Sequence, residues 1–273
     1  MTQAYDFDYL RDLVQQQSAV VLGAGKKYLA DLHLGSVAEN AGFSSLSAFV
    51  EQLKQSPFGD LHVQAVEALL TNETSFFRDR HPFAALKNVV IPQLIQQRQQ
   101  ERSLKIWCAG CSYGQEPYSI AILIQEHFPE LASWKLQIMA SDMSGRALAR
   151  LKLGCYNQLE VNRGLSPTLR DKYFYQQQDF WQISDKIRQM LTVRQLNLIH
   201  EWKALPMMDI IFLRNVLIYF DLETKVSILH KIHQHLRSDG YLFLGGGETV
   251  LNIDSRFESV QIDKSTCYRP CSV

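Results

Sequence analysis

Short apolar runs alternate with helix-like patterns from residue 104 onward, and this alternation restricts the chain to a small set of folds. The apolar runs lie at 104–109, 136–141, 209–213 and 241–244, and the helical patterns lie at 117–128, 144–153 and 222–236. Strands that are apolar throughout must be covered on both faces, so we predict an α/β fold with a mostly parallel, doubly wound sheet. Residues 257–262 and 266–269 are predicted to close it as a hairpin.

Two parts of the chain do not follow this alternation. Residues 1–80 repeat apolar residues such as Leu10, Leu13 and Val14 at helical spacing, and no stretch there alternates with the period of a strand. We therefore expect a small all-helical N-terminal domain, 1–80, followed by a second domain, 81–273. Residues 165–196 lack a clean helix between two buried strands and are expected to form an inserted antiparallel β-subdomain.

Charge and hydropathy argue against several classes of protein. Among 273 residues, 28 lysines and arginines balance 28 aspartates and glutamates, whereas proteins that bind duplex nucleic acid carry a basic surplus. No stretch approaches the ~20 uninterrupted apolar residues of a membrane-spanning helix. The first residues are acidic where a secretory signal peptide is basic. We expect a cytoplasmic protein that neither binds nucleic acid nor inserts into a membrane.

Cysteine and histidine spacings raise the alternative of a metal or redox site. One cysteine pair has C-x-x-C spacing, a second pair lies near the C-terminus, and three histidines share a predicted helix. These residues are Cys108 and Cys111, Cys267 and Cys271, and His230, His233 and His235. The first pair lies inside a glycine turn that has a better explanation, and the last histidine is turned away from the other two. We predict no metal site.

A glycine turn and a later acid predict a nucleoside-containing ligand. Gly110 and Gly114 separate a predicted strand from a helix that begins near Pro117, in a spacing that is neither G-x-G-x-x-G nor a P-loop. Asp142 ends the next strand, where an acid can accept hydrogen bonds from both ribose hydroxyls. The alternatives are a tight turn without a ligand and an Asp142 that caps the following helix. Together the two features indicate either a dinucleotide or S-adenosylmethionine.

Three motifs carry a resemblance to a known family. They are TNETSFFRD at 71–79, CAGCSYGQEPYS at 108–119 and LRNVLIYFD at 213–221. In order and spacing, from about Leu10 to Pro270, the chain resembles the chemotaxis receptor methyltransferase (CheR-type) family. The resemblance implies the S-adenosylmethionine-dependent methyltransferase fold with an inserted β-subdomain. It also implies transfer of a methyl group from S-adenosylmethionine to receptor glutamates, giving methyl esters and S-adenosylhomocysteine.

The resemblance also implies the site residues. Cofactor contacts carried over from the family, together with the first glycine of the turn, are Asn72, Thr74, Arg78, Gly110, Glu116, Asp142, Asn197, Leu198, Arg214 and Asn215. Arg78 and Tyr219 are the candidate catalytic residues. An ionised glutamate needs neither a general base nor a metal to accept a methyl group, and a cation clamped on it would stabilise the reactants. Arg78 therefore suits the methionine carboxylate of the cofactor better than the nucleophile.

The implied partner is the cytoplasmic domain of a methyl-accepting chemoreceptor, and we expect the protein to be a monomer. Two departures from the family pattern bear on docking. Residues 173–180 contain no glycine and are shortened, and the second helix carries Lys26 and Lys27 but no arginine. A sheet edge to which a peptide strand could add is expected around 187–193. Because the glycine and the arginines are missing, we nevertheless predict weak, direct recognition of the receptor through the helical domain, without tethering by a C-terminal pentapeptide.

Two other functions are alternatives. A nicotinamide dehydrogenase would need G-x-G-x-x-G, which is missing, and has no use for the 71–79 motif. A non-enzymatic signalling adaptor would keep the fold and lose turnover, but the matched cofactor positions are all present.

Overall fold

The computed structural model describes residues 5–271, except for the side chains at positions 24 and 29. Contacts divide the chain into two units, Met1–Thr71 with Tyr219–Thr224, and Asn72–Ile218 with Lys225–Val273. Whether residues 1–80 fold as an independent domain stays a prediction. In the described part of the chain, no helix is long and apolar enough to cross a membrane.

The first unit is helical, as predicted. Its helices are α1 (Phe7–Ser18), α2 (Lys27–Asn40), α3 (Leu46–Gln55) and α4 (Asp60–Leu69). The carboxylate of Asp6 accepts the N–H of Tyr9 to begin α1, and the hydroxyl of Ser45 accepts the N–H of Ala48 to begin α3. Leu10, Leu34 and Phe49 are fully buried, so the apolar spacing seen in the sequence forms this unit's core. On α2, Tyr28 and Leu32 share the helical apolar spacing but are exposed, and the side chain at position 29 lies outside the described part.

The second unit contains all the strands of the described chain. Its helices are α5 (His81–Ala85), α6 (Ile91–Gln97), α7 (Gln115–His127), α8 (Gly145–Leu153), α9 (Gln158–Asn162), α10 (Pro167–Tyr173), α11 (Asp185–Arg188) and α12 (Leu222–His235), the start of which belongs to the first unit. Its strands are β1 (Ser103–Ala109), β2 (Lys135–Asp142), β3 (Cys155–Asn157), β4 (Phe174–Gln177), β5 (Phe180–Ile183), β6 (Leu191–Gln195), β7 (Met208–Leu213), β8 (Leu236–Leu244), β9 (Phe257–Ile262) and β10 (Ser265–Pro270).

Seven strands form the main sheet in the order β6-β2-β1-β7-β8-β10-β9. The first five are parallel, and β10 runs antiparallel to both β8 and β9. The predicted parallel sheet and closing hairpin are thus confirmed. A row of fully buried side chains, Ile106, Ile138 and Ile210, crosses three neighbouring strands. The strand order reverses between β1 and β7, and such a reversal opens a crevice at the carboxyl ends of the strands.

The antiparallel insertion exists, but the predicted range was wrong at both ends. Its sheet, in the order β3-β5-β4, begins at Cys155. Residues 191–195 instead form β6, which pairs parallel to β2 as the edge of the main sheet. The insertion therefore has no sheet edge at 187–193. Pairing between β6 and β2 joins residues about fifty positions apart, for example Ile138 and Leu191, which a local pattern does not reveal.

Candidate functional site

The predicted cofactor residues of the second unit lie on neighbouring elements at one edge of its main sheet. Asn197 and Leu198 follow β6, Asp142 ends β2, and Arg214 and Asn215 follow β7. The glycine turn from position 110 to 114 follows β1, which lies between β2 and β7. Since these strands are parallel, their carboxyl ends meet at the same edge. The topology brings together positions that are more than 100 residues apart in the chain.

The glycine turn after β1 cannot carry side chains at two positions. Gly110 has a φ of +71°, and a Cβ there would meet Val216 Cγ2 at 2.6 Å. Gly114 has a φ of +95°, and its Cβ would meet Leu151 Cγ at 2.6 Å. Both glycines are therefore needed for close packing against other protein side chains. A direct contact between Gly110 and the cofactor stays a prediction.

Asp142 fastens the turn to the end of β2. One carboxylate oxygen accepts the N–H of Ser112 at 2.8 Å, and the other accepts the N–H of Ser144 at 3.0 Å. Ser144, not Asp142, caps α8, because its own hydroxyl accepts the N–H of Ala147. A carboxylate has about four acceptor positions, so these two bonds are compatible with ribose hydroxyls on the same group. Ser112 reaches this position with a left-handed φ of 51°.

An ion-pair network around a buried guanidinium joins the three sequence motifs. The guanidinium of Arg214, with its side chain 1% exposed, donates to Glu116 Oε2 at 2.9 Å and to Asp79 Oδ2 at 2.6 Å. It also donates to the backbone oxygen of Arg78 at 3.1 Å. Burial raises the pKa of Glu116, although the neighbouring Arg214 acts in the opposite direction. Arg214 thus links the first, second and third motifs directly.

The first motif, residues 71–79, is tied to the glycine turn and to α7. The backbone oxygen of Asn72 accepts a hydrogen bond from Ser112 Oγ at 3.0 Å, and the N–H of Phe77 donates to Ser119 Oγ at 2.9 Å. Arg78 donates to the backbone oxygen of Glu73 at 3.0 Å. Thr74 is half-buried beside them in the chain. These bonds fix the segment's backbone against the carboxyl edge of the sheet.

The loop after β6 is held by its neighbours. The N–H of Leu196 donates to the backbone oxygen of Asp142 at 2.9 Å. Lys231 on α12 donates to the backbone oxygens of Leu198 and His200, and burial lowers the pKa of Lys231. The side-chain oxygen of Asn197 accepts the N–H of Ile199 at 3.2 Å, which is ordinary turn chemistry.

Glu248 is the residue of this edge that sequence reasoning missed as functional. Its Oε2 accepts the N–H groups of Asn215 at 2.7 Å and Gly245 at 2.6 Å. Its Oε1 accepts those of Val216 at 2.9 Å and Ile218 at 3.2 Å. One carboxylate therefore holds the backbone of the third motif. The available signal was an acid after three glycines that directly follow a buried strand.

Tyr219, the other candidate catalytic residue, belongs to the first unit by its contacts. Its backbone oxygen accepts the N–H of Val21 at 2.9 Å, and the ammonium of Lys26 lies 5.8 Å from its ring centroid. The structure thus places Tyr219 with residues of the helical unit and Arg78 with the sheet unit.

The cysteines of the turn are not poised for redox chemistry. Cys108 and Cys111 are buried free thiols, and burial raises the pKa of each well above its ordinary value. Among the described residues, no group of three or more histidine, cysteine, aspartate or glutamate side chains is arranged to hold a metal ion.

Comparison with known proteins identifies the family. The family model described as CheR methyltransferase, SAM binding domain, matches residues 72–266. The chain belongs to the CheR methyltransferase family. It is 40% identical over 268 residues to chemotaxis protein methyltransferase 1 of Pseudomonas aeruginosa, and 38% identical over 268 residues to chemotaxis protein methyltransferase Cher2 of Pseudomonas putida. Each alignment covers 97% of both chains.

Solved structures give a weaker likeness. A TehB-like SAM-dependent methyltransferase from Corynebacterium glutamicum is 14% identical with a TM-score of 0.38, covering 71% of this chain and 92% of that one. A likeness at this level carries no argument about function. Family membership confirms that the protein is a methyltransferase of chemotaxis whose cofactor is S-adenosylmethionine.

The residues at the carboxyl edge fit this cofactor. Within the described chain, Gln115 Oε1 and Arg214 Nε are buried without a hydrogen-bond partner, and both belong to residues beside Glu116. A cofactor with ammonium and carboxylate groups could satisfy such atoms. We expect Glu116 to hold the ammonium, Asp142 the ribose hydroxyls and Arg78 the methionine carboxylate. These assignments stay predictions.

Proposed function

We propose that the protein methylates glutamate side chains of chemoreceptors. S-adenosylmethionine, when bound, supplies an activated methyl group on a sulfonium. The observation that carries the proposal is the Arg214 network, because it ties Asp79, Glu116 and Arg78, residues of separate motifs, into one site. Held by one buried guanidinium, the three motifs keep a fixed geometry, and a reaction that depends on alignment of two reactants needs such a geometry.

The residues at this edge suit a reaction that needs no proton transfer from the enzyme. A substrate glutamate, with an ordinary pKa of about 4.3, is already ionised at neutral pH. A cation bound tightly to it would stabilise the reactants more than the transition state, in which the opposite charges cancel. Arg78 is held by the backbone oxygen of Glu73, which favours a positioning role over neutralisation of the nucleophile. The site contributes to catalysis by aligning the reactants and by excluding water.

Transfer of a radiolabelled methyl group from S-adenosylmethionine to receptor-containing membranes tests the proposal. We expect base-labile label on the receptor band, since carboxyl methyl esters hydrolyse in alkali. Label that is absent, or that resists alkali, would contradict glutamate methylation. Absent label with intact cofactor binding would instead support a non-enzymatic adaptor.

Two substitutions distinguish the proposed role of Arg78 in cofactor binding from that of Tyr219 in catalysis. Arg78→Ala should weaken cofactor binding, whereas Tyr219→Phe should keep cofactor binding and lose turnover if its hydroxyl orients the substrate carboxylate. Calorimetry with S-adenosylhomocysteine and single-turnover labelling measure the two effects separately. Wild-type turnover in Tyr219→Phe would show that the hydroxyl of Tyr219 has no part in catalysis and that the residue contributes only its ring.

We also propose that recognition of the receptor is direct. The hairpin β4–β5 pairs Gln177 with Phe180, so only Gln178 and Asp179 form its turn. Such a turn supports the expectation that no glycine-containing loop is available to hold a peptide tether. Lys26 and Lys27 on the helical unit are the proposed contacts, although Lys27 also pairs with Asp31 at 3.6 Å.

A further inference from the structure

Two adjoining cavities of the second unit form a groove that shares only Arg78 with the proposed cofactor contacts. One, of about 520 Å³, is lined by residues 75–81 together with Arg163 and Gly164. The other, of about 470 Å³, shares Phe77, Arg80 and Gly164 with it and adds residues 165–167 and Leu169. We call the whole the arginine groove. No described lining residue comes from the glycine turn or from the ends of β2, β6 and β7.

The walls of the groove are built by close backbone contact. Gly164 has a φ of +102°, and a Cβ there would lie 1.8 Å from the backbone oxygen of Phe76, so no other residue fits. Phe77, Asp79 and Arg80, which also line the groove, all have left-handed backbones, with φ values of 47°, 66° and 50°. A left-handed backbone conformation costs free energy in a residue other than glycine, and it persists only where the surrounding structure imposes it. The groove is therefore a defined feature of the fold.

Its charge is positive. Arg78, Arg80 and Arg163 line the larger cavity with His81. The nearby acids are already paired, because Glu73 binds Arg163 at 2.7 Å and Asp79 binds Arg214 at 2.6 Å. Arg163 holds the pKa of Glu73 below its ordinary value. Among the described residues, the guanidinium of Arg80 has no hydrogen-bond or ion-pair partner, and the guanidinium of Arg78 donates only to a neutral carbonyl.

The smaller cavity adds an apolar end. Leu165, Pro167 and Leu169 line it with Phe77. A ligand that fills both cavities thus needs negative charge at one end and an aliphatic group at the other. An acidic protein segment has this chemistry, because arginine binds carboxylates in bidentate geometry while neighbouring apolar side chains are buried.

We propose that the arginine groove binds acidic side chains that flank the methylated glutamate in the protein substrate, with Arg80 the residue that selects them. The proposal rests on the proposed function. In this arrangement, recognition and reaction involve different carboxylates of the substrate. The groove binds carboxylates that are not methylated, and the reacting carboxylate stays free of a tightly bound cation. Arg78 lines the groove, and its backbone oxygen accepts a hydrogen bond from Arg214.

The test compares KM with cofactor affinity in an Arg80→Glu variant, using a purified receptor cytoplasmic fragment. We expect KM for the fragment to rise about tenfold at low salt, with kcat and the Kd for S-adenosylhomocysteine unchanged. The rise should shrink as ionic strength increases, because exposed charges are screened. Arg80→Lys, which keeps the charge, should stay near wild type. Lys264→Glu, an equal charge change in the exposed turn between β9 and β10, is the matched control.

A reciprocal change gives the decisive result. A receptor fragment whose flanking acids are replaced by lysine should be methylated better by Arg80→Glu than by wild type. An Arg80→Glu variant that keeps the wild-type KM would overturn the groove proposal while wild-type labelling still supports the function. A cofactor Kd that rises as much as KM would also overturn it, by assigning the groove to the cofactor. Absence of labelling by wild type would overturn the proposed function itself, and the groove proposal with it.

Discussion

The carboxylate of Glu248 holds the backbone of two loops at the carboxyl edge of the sheet. It accepts four backbone N–H groups, and three of them belong to residues 215–218 of the third motif. Asn215 sits in a left-handed conformation with a φ of 58°. A carboxylate suits this position because all four partners are donors. Glu248 is therefore a positioning residue for the third motif.

Replacement of Glu248 tests this role. Glu248→Gln presents an NH₂ group to N–H donors that need an acceptor, and these donors are partly buried, so each one left unpaired costs up to about 1–3 kcal/mol. We expect kcat to fall at least about tenfold in a protein that remains folded. Glu258→Gln, on an exposed position of β9, is the control and should keep wild-type turnover. Equal kcat values for the two variants would contradict the role.

Asp142 carries a second prediction at the scale of a residue. Asp142→Ala should weaken binding of S-adenosylmethionine and of its product, with each lost charge-assisted bond costing on the order of 1.5–3 kcal/mol. The same change also removes the anchors of Ser112 and Ser144, so stability should fall as well. Ser144→Ala loses the cap of α8, about 1 kcal/mol of stability, without touching the carboxylate. Calorimetry should then show weaker binding only for Asp142→Ala.

At the scale of an element, the turn from β1 to α7 requires glycine, because a Cβ atom there would clash with neighbouring side chains. Gly110→Ala would place a methyl group 2.6 Å from Val216 Cγ2 at a left-handed φ. We expect a loss of roughly 1–3 kcal/mol in the free energy of unfolding, measured by urea denaturation. Gly246→Ala, where a Cβ meets nothing within 4 Å, is the control and should change little. Similar losses in both variants would show that the turn tolerates a side chain.

The end of α6 is fastened to the opposite edge of the sheet by a buried ion pair. Arg98 donates to Asp209 at 2.9 Å, with side chains 6% and 3% exposed, and also binds Asp239. Arg98→Met would leave Asp209 buried without this partner, so we expect a loss of about 3–5 kcal/mol in the free energy of unfolding. Arg188→Met, which breaks an exposed pair with Asp185, should cost no more than about 1 kcal/mol.

The same network predicts a pH dependence. Arg98 holds the pKa of Asp239 below its ordinary value of 3.8. A lowered folded pKa contributes stability that is present above the unfolded value and is lost as pH falls through the folded value. Urea denaturation at a series of acid pH values should show a shallower loss of stability for Asp239→Asn than for wild type. Identical slopes would mean that Asp239 adds nothing to acid unfolding.

At the scale of the whole molecule, the mode of docking to the receptor gives the last prediction. A receptor C-terminal pentapeptide should produce no measurable heat on titration, because the two-residue turn of the β4–β5 hairpin offers no loop to hold it. Removal of the pentapeptide from the receptor should leave the methylation rate unchanged. Low-micromolar binding of the pentapeptide would show that the hairpin, despite its short turn, supports a tether.

Much of the fold could be predicted from local pattern. The apolar runs that became β1, β2, β7 and β8 are continuous because both faces of a parallel sheet are covered, and α1 to α4 repeat apolar residues at helical spacing. The motif at 108–119 likewise contains its own strand, turn and helix start. These features depend on residues close together in the chain, so the sequence by itself determined them.

The tertiary structure decided what depends on distant partners. The assignment of 191–195 to the main sheet rests on pairing with β2, and the role of Glu248 rests on a loop some thirty residues earlier. Arg214 and Glu116, each predicted to bind the cofactor, bind each other across 98 positions of sequence. Hydrogen bonds and ion pairs act over about 3 Å of space whatever the separation in the chain, so only the folded backbone shows which polar groups meet.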